Sequence, residues 1–350
     1  MQEGSINLYS DTQTRPTAAM RRFMAEAEVG DEQHGLDPSV NQLCEQVAEL
    51  LGKEAAVFLP SGTMCNEIAI LVRCKAGDEI YADHTAHIIN FEGGGPSALA
   101  GAHIQPLAGR NGIYTAAMLA RAIRQESRYS PRPRLVEVEQ TSNLGGGAIW
   151  PLETIEAVAN VAKAHSLRLH LDGARLLNAV VESGVAAYTF AQYFDSVWID
   201  LSKGLGCPMG AVLAGSQNFI EEVWYWKQRI GGALRQAGIV AAAGLYALEH
   251  HVERLAEDHI NARRFGEIIT QCEGVRLQPE TIETNIVFID VAETGVSANA
   301  ISQQLEVRGI NIGAFTDTML RAVTHLDVSA KQVEKAGTAF GEVITALRNA

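Results

Sequence analysis

Leu169-His170-Leu171-Asp172-Gly173-Ala174-Arg175 runs apolar until it meets a carboxylate, then a glycine, with an arginine three residues past the carboxylate. About 30 residues on, the length of one βαβ unit, Val197-Trp198-Ile199-Asp200-Leu201-Ser202-Lys203-Gly204-Leu205-Gly206-Cys207-Pro208 repeats the form with a lysine at its end. Runs this apolar read as strands covered on both faces, as in a parallel sheet flanked by helices. In open α/β sheets ligands bind beyond the carboxyl ends of the strands. Asp172 and Lys203 therefore stand on the functional edge, on strands that are candidates for neighbours.

The same rhythm extends outward in both directions. Strands are expected at 55–59, 79–82, 103–107, 134–138, 168–171, 196–199 and 211–214, with amphipathic helices at 63–73, 115–128 and 152–165 between them. In the last of these Ile155, Val158, Ala159 and Ala162 recur at helical spacing. This alternation predicts an α/β fold whose large domain is a mostly parallel sheet flanked by helices. After Gly215 the pattern changes to an aromatic stretch (Trp224-Tyr225-Trp226), Gly-Gly, and an alanine-rich helix at about 236–251. Helices near 255–272 and 298–308, strands near 285–289 and 319–323, and a closing helix predict a small C-terminal α+β domain. The expected division is 1–245 and 246–350.

Composition narrows the partners. The chain has 350 residues, 47% of them hydrophobic, so it has enough apolar content to build a core and disorder is excluded as a main theme. No apolar stretch reaches the ~18 residues of a membrane helix, and Met-Gln-Glu-Gly has neither the basic flank nor the apolar core of a leader. The expected location is cytoplasmic. With 28 basic against 41 acidic residues, the net charge of −13 disfavours nucleic acid and anionic membranes. Five cysteines with no Cys-x-x-Cys pair read as reduced thiols rather than a disulfide frame or zinc site. Cys207 reads as packing.

Three features converge on one chemistry. Ser61-Gly62-Thr63 closes a strand and opens a helix, where free backbone N–H groups suit an anion, although taken alone a plain N-cap explains it better. Asp172 ends one apolar strand, and capping the next helix is its plainer use. Lys203 ends another, where lost solvation favours a nucleophilic neutral amine. A lysine for a Schiff base, a carboxylate for a pyridinium nitrogen and a helix N-terminus for a phosphate are the handles pyridoxal phosphate requires. A dinucleotide site fits less well, because Gly204-x-Gly206 is followed by Gly210, one residue too far, and Pro208 interrupts. There is no Walker motif, and the triple glycines at 93–95 and 145–147 read as flexible loops. His84-x-x-His87 lacks the carboxylate or cysteine set that would complete a metal site, so no metal is expected. His87 is better used stacked on a flat cofactor, and His250 and His251 read as partly solvated.

The chain resembles the low-specificity threonine aldolases, β-eliminating-lyase-like enzymes of fold-type-I pyridoxal phosphate architecture. The resemblance rests on Ser10-Asp11-Thr12, Pro60-Ser61-Gly62-Thr63-Met64, Asp172-Gly173-Ala174-Arg175, Ser202-Lys203-Gly204, Gly231-Gly232-Ala233-Leu234-Arg235-Gln236-Ala237-Gly238 and Arg321-Ala322-Val323-Thr324-His325. By that resemblance Lys203 holds the cofactor, Asp172 pairs with its ring nitrogen and His87 stacks on the ring. Ser61, Gly62 and Thr63 bind the phosphate with Arg235 from a second subunit. Ser10, Arg175 and Arg321 grip the substrate carboxylate, Arg175 also bordering the cofactor. The implied reaction is retro-aldol cleavage of a β-hydroxy-α-amino acid to glycine and an aldehyde, with His87, a water or the phosphate as base.

The chain also departs from that family. Glu32-Gln33-His34-Gly35 stands where the family often has Val-Tyr-Gly, and Gln140-Thr141-Ser142-Asn143 where it commonly has Asn-Thr-His-Asn. His34 and Ser142 are thus expected on the substrate's β side, in a pocket open to a bulkier, phenylserine-like side chain. The rival readings are a β-eliminating lyase or aminotransferase on the same cofactor, and a ligand-binding module without catalysis. The resemblance implies a homodimer or homotetramer with its site at the subunit interface, and Trp224 and Trp226 read as interface or core.

Overall fold

The computed structural model describes residues 5–349. All seven expected strands of the large sheet are present: β1 (Ala55–Leu59), β2 (Asp78–Asp83), β3 (His103–Leu107), β4 (Arg132–Glu139), β5 (Arg168–Gly173), β6 (Ser196–Asp200) and β7 (Ala211–Gly215). Their spatial order is 1-7-6-5-4-2-3. β3, β2, β4, β5 and β6 run parallel, and β7 lies antiparallel to both β1 and β6. β5 and β6 are indeed neighbours, with Asp172 level with Trp198.

Alternating residues of each strand enter different cores, the period-two consequence of the pleat. Val197 and Ile199 join the main cluster beneath helices Pro38–Leu51, Leu152–Ala164 and Gly238–His250. Trp198 faces the other way, against helices Gly62–Arg73 and Gln217–Arg229. The chain is therefore α/β with a mostly parallel, helix-flanked sheet.

Beyond it, a four-stranded antiparallel sheet orders Gly313–Ala314, Met319–Val323, Ile286–Asp290 and Arg276–Leu277 from edge to edge. Helices Leu255–Ile269, Ala298–Val307 and Ala330–Arg348 share a core with it. Ile6 and Leu8 join that same core, and Ile6–Asn7 pairs in parallel with Ile310–Asn311. The first described residues are thus packed into the C-terminal unit, which carries Ser10 and Asp11 towards the sheet edge.

Two local expectations are corrected. The helix expected at 115–128 stops at Ala122. Gly93 and Gly94 form an exposed turn, but Gly95 opens the short helix Gly95–Leu99, and Gly145, Gly146 and Gly147 are buried, with Thr284 Oγ1 donating to the Gly147 carbonyl at 2.8 Å. Close packing, rather than mobility, is what the missing side chains permit there. No helix among the described residues is long and apolar enough to cross a membrane.

Candidate active site

The run after β6 folds into a tight turn that brings the lysine back over the sheet edge. Gly206 donates to the Lys203 carbonyl at 2.9 Å and Cys207 to the Leu201 carbonyl at 3.0 Å, with Gly206 at φ +76°. The spacing that resembled a nucleotide fingerprint therefore serves a turn needing positive φ. Lys203 Nζ is ion-paired with Asp200 at the end of β6, and Thr14 Oγ1 donates to the Lys203 carbonyl at 2.8 Å. Cys207 is buried, which pushes its thiol pKa up and keeps it unreactive.

Lys203 opens onto a cavity of about 220 Å³ that Ser10, His87, Arg175 and Arg321 also line, together with Phe91, Glu139, Asn143 and Ala174. Asp172 lies just beneath it, Oδ1 accepting from the Ala174 amide at 2.9 Å and Oδ2 from Asn66 Nδ2 at 2.8 Å. Burial pushes its pKa up, opposed by His87, Asn66 and Lys203. A buried carboxyl in that condition gains most from a cation placed beside it.

Asn66 is the hub of the site. Its amide nitrogen donates to Asp172 and to Glu92 Oε1, the latter at 2.8 Å, while its oxygen accepts from Trp198 Nε1 at 2.7 Å and His170 Nε2 at 3.0 Å. Burial takes His170 down to about 3, so it is neutral, with its one N–H on Asn66 and Nδ1 accepting from Ser196 Oγ. Glu92 Oε1 also accepts from His87 Nδ1 at 2.7 Å. Burial alone would lower the His87 pKa, but Glu92, Asp172 and Glu139 outweigh it and raise it. His87, Glu92 and Asp172 each bring a polar atom within 4.8 Å of the others.

The arginines are fixed by the segment from the C-terminal unit. Arg175 makes a two-pronged pair with Asp11, Nε to Oδ2 at 2.8 Å and Nη2 to Oδ1 at 2.7 Å, both side chains almost fully buried. Arg321 Nη1 donates to Asn143 Oδ1 at 3.0 Å, and burial followed by the charge of Arg175 lowers its pKa. Glu139 accepts from the His87 amide at 2.8 Å and the Asn143 amide at 2.7 Å, and burial and Asp172 take it up to about 7.

The donor set fits pyridoxal phosphate: a lysine at the cavity, a buried carboxyl hydrogen-bonded, among the described residues, only to the neutral Asn66 and Ala174 amides, and a histidine and a small Ala174 both facing the same space. Gly62 opens its helix against the Trp198 ring, and Lys203 Nζ lies 5.7 Å from the centre of that ring. The helix N-terminus and the lysine thus share one indole as floor.

The family profile described as Beta-eliminating lyase matches residues 7–293. The chain belongs to the β-eliminating lyase family. It is 40% identical to the low specificity L-threonine aldolase of Escherichia coli K12, over 94% of this chain and 96% of that one. It is 37% identical to low-specificity L-threonine aldolase 1 of Arabidopsis thaliana, over 98% of both. Leishmania major threonine aldolase has the same fold, with a TM-score of 0.83 at 18% identity over 97% of this chain and 99% of that one. The chain is accordingly a pyridoxal phosphate-dependent lyase.

Of the residues expected at its site, Ser10, His87, Arg175, Lys203 and Arg321 meet at the cavity and Asp172 sits beneath it. Others lie elsewhere within the single chain. Ser61 Oγ caps its helix by accepting from the Met64 amide, and Thr63 is exposed. Arg235 and His34 are both exposed and both paired with Asp31, at 3.0 and 3.2 Å. Ser142 is buried with its Oγ accepting from the Gly145 amide, in the space a Cβ on Gly112 would need, so its side chain turns away from the cavity. Asp11, Asn66, Glu92, Glu139, Asn143 and Asp200 escape a reading of sequence alone. Asp11 sits inside a motif that was recognised, whereas Asn66 and Glu92 look like the polar face of amphipathic segments.

Proposed function

We propose that the protein cleaves β-hydroxy-α-amino acids, L-threonine and L-allo-threonine among them, to glycine and an aldehyde. The observation that carries this is the convergence of Lys203, His87, Arg175 and Arg321 on one cavity above the buried Asp172. Lys203 would hold the cofactor, Asp172 face its ring nitrogen and His87 and Ala174 enclose the ring. Bound pyridoxal phosphate supplies the electron sink for the pair released when Cα–Cβ breaks. Arg175, preset by Asp11, and Arg321 would grip the substrate carboxylate and so orient the bond to be broken, with Ser10 beside them. Besides Lys203, the titratable groups lining the cavity that could take the hydroxyl proton are His87 and Glu139, with a water or the cofactor phosphate as the other bases.

The site is completed by a second copy of the chain. Arg235 carries a motif of the family yet points to solvent in the single chain, as does His34. Tyr225 and a groove formed by Trp224, Tyr225, Gln228 and Arg229 expose aromatic surface on the Gln217–Arg229 helix. These support a homodimer or homotetramer in which Arg235 and His34 serve the neighbouring site, with Ser61, Gly62 and Thr63 as phosphate ligands. A cytoplasmic location accords with five cysteines that form no disulfide.

Borohydride reduction followed by peptide mapping tests the first claim. The cofactor is expected on the peptide holding Lys203, and recovery on another lysine would overturn it. Product analysis separates the lyases: glycine with aldehyde is expected, whereas pyruvate with ammonia or a keto acid would mark β-elimination or transamination. Ser142 in place of the family's bulkier histidine predicts higher kcat/KM for phenylserine than for threonine, and a clear threonine preference would refute that part.

A further inference from the structure

The buried face of the Gly62–Arg73 helix carries a second polar residue beside Asn66. Glu67 is only 4% exposed, and neither of its carboxyl oxygens has a hydrogen-bond donor among the described residues. The group is pinned by backbone, since a Cβ on Gly95 would stand 1.9 Å from Glu67 Oε1. Its polar neighbour is Glu92, which uses Oε1 for His87 and Asn66 and whose buried Oε2 likewise has no donor.

Two adjoining buried carboxyls do not both ionise, because desolvation and mutual repulsion act together. The charge settles on Glu92, whose Oε1 receives two N–H donors, and the proton on Glu67. We propose that Glu67 is a positioning residue: as a neutral carboxylic acid it donates to Glu92 Oε2 and so keeps Glu92 ionised against His87 and Asn66. One buried proton thereby satisfies oxygens that otherwise have no partner. Burial and the adjacent Glu92 together take the Glu67 pKa up to about 8. The charged groups facing the pair are His87 after β2, Glu137 on β4 and Asp172 on β5, with Glu139 beside His87 and Lys203 beside Asp172 behind them. Burial pushes Glu137 up as well, and Glu92 is ion-paired with His87.

The sign follows directly. Below about pH 8 Glu67 is neutral and the contact intact, and above it a second negative charge repels Glu92 and disturbs the His87 ring. The inference rests on His87 facing the cofactor, but its first test does not. Infrared difference spectra between neutral and alkaline pH should show an un-ionised carboxylic acid that titrates near pH 8 in wild-type protein and is missing from E67Q. E67Q keeps a donor for Glu92 but has no proton to lose, so the alkaline inflection in holoenzyme absorbance and in kcat/KM should vanish. E67L removes the donor, and kcat/KM should fall about tenfold below E67Q, as for one hydrogen bond to a charged acceptor. A wild-type spectrum without that band, or an inflection that persists in E67Q, would overturn the proposal. Because the band is expected whatever the protein cleaves, a failed aldolase assay leaves this test separate.

Discussion

Asp11 shows how one residue sets the substrate side of the site. Burial alone would raise its pKa, yet Arg175, by charge and hydrogen bonds, holds it far below the ordinary 3.8. A depressed carboxyl contributes stability that is complete above its unfolded pKa and lost as the pH falls through the folded one. This pair should therefore survive at pH 4, with its share of stability lost only in stronger acid. Asp11→Asn leaves a buried guanidinium without its counter-charge and should cost about 3–5 kcal/mol in urea unfolding at neutral pH. A loss under 1 kcal/mol would mean that Arg175 finds another partner. Asn66 makes the opposite point about legibility. Its polarity, one turn into an apolar helix, suggests a solvent-facing side chain, whereas it is fully buried with four hydrogen bonds to four residues.

At the scale of elements, the start of the Gly62–Arg73 helix depends on close approach. A Cβ on Gly62 would stand 2.2 Å from Trp198 Cη2, and Trp198 is only 2% exposed, so the ring has nowhere to retreat. Gly62→Ala should lower the stability of the cofactor-free protein by about 1–3 kcal/mol through overpacking. It should also weaken pyridoxal phosphate binding, because the helix N-terminus and Lys203 share that indole. Thermal unfolding without cofactor and a cofactor titration read the two effects separately, and an unchanged melting temperature would refute the first. The strands were the most legible elements, because each is a short, continuous apolar run. The helix end at Ala122 was not, since the residues after it keep helix-compatible composition without an apolar face to bury.

For the whole molecule the test is complementation. If Arg235 serves the neighbouring subunit's site, Lys203→Ala and Arg235→Ala homodimers should each be nearly inactive. After co-refolding, hybrids carrying one intact site should restore about a quarter of wild-type activity. No recovery, with hybrids verified by mass, would place Arg235 in its own subunit's site. On that proposal His34 and Arg235 would stand apart from the cavity in one chain because a sequence names residues without saying whose site they enter.

The sequence by itself determined the layered α/β architecture, the seven strands of the main sheet and the principal handles Lys203, Asp172, His87, Arg175 and Arg321. The architecture and the placing of Asp172 and Lys203 follow from local pattern, because apolar runs must be buried and reactive groups end up where such strands stop, whereas Arg175 and Arg321 entered through the family resemblance. Only the tertiary structure decided the strand order, the reversal of β7, and the return of residues 6–11 into the C-terminal unit beside Arg321. It alone joined Asn66, Glu67, Glu92 and Glu139 into the support of the site. Their polarity reads as surface along the chain, and only packing shows that their partners are other buried groups rather than water.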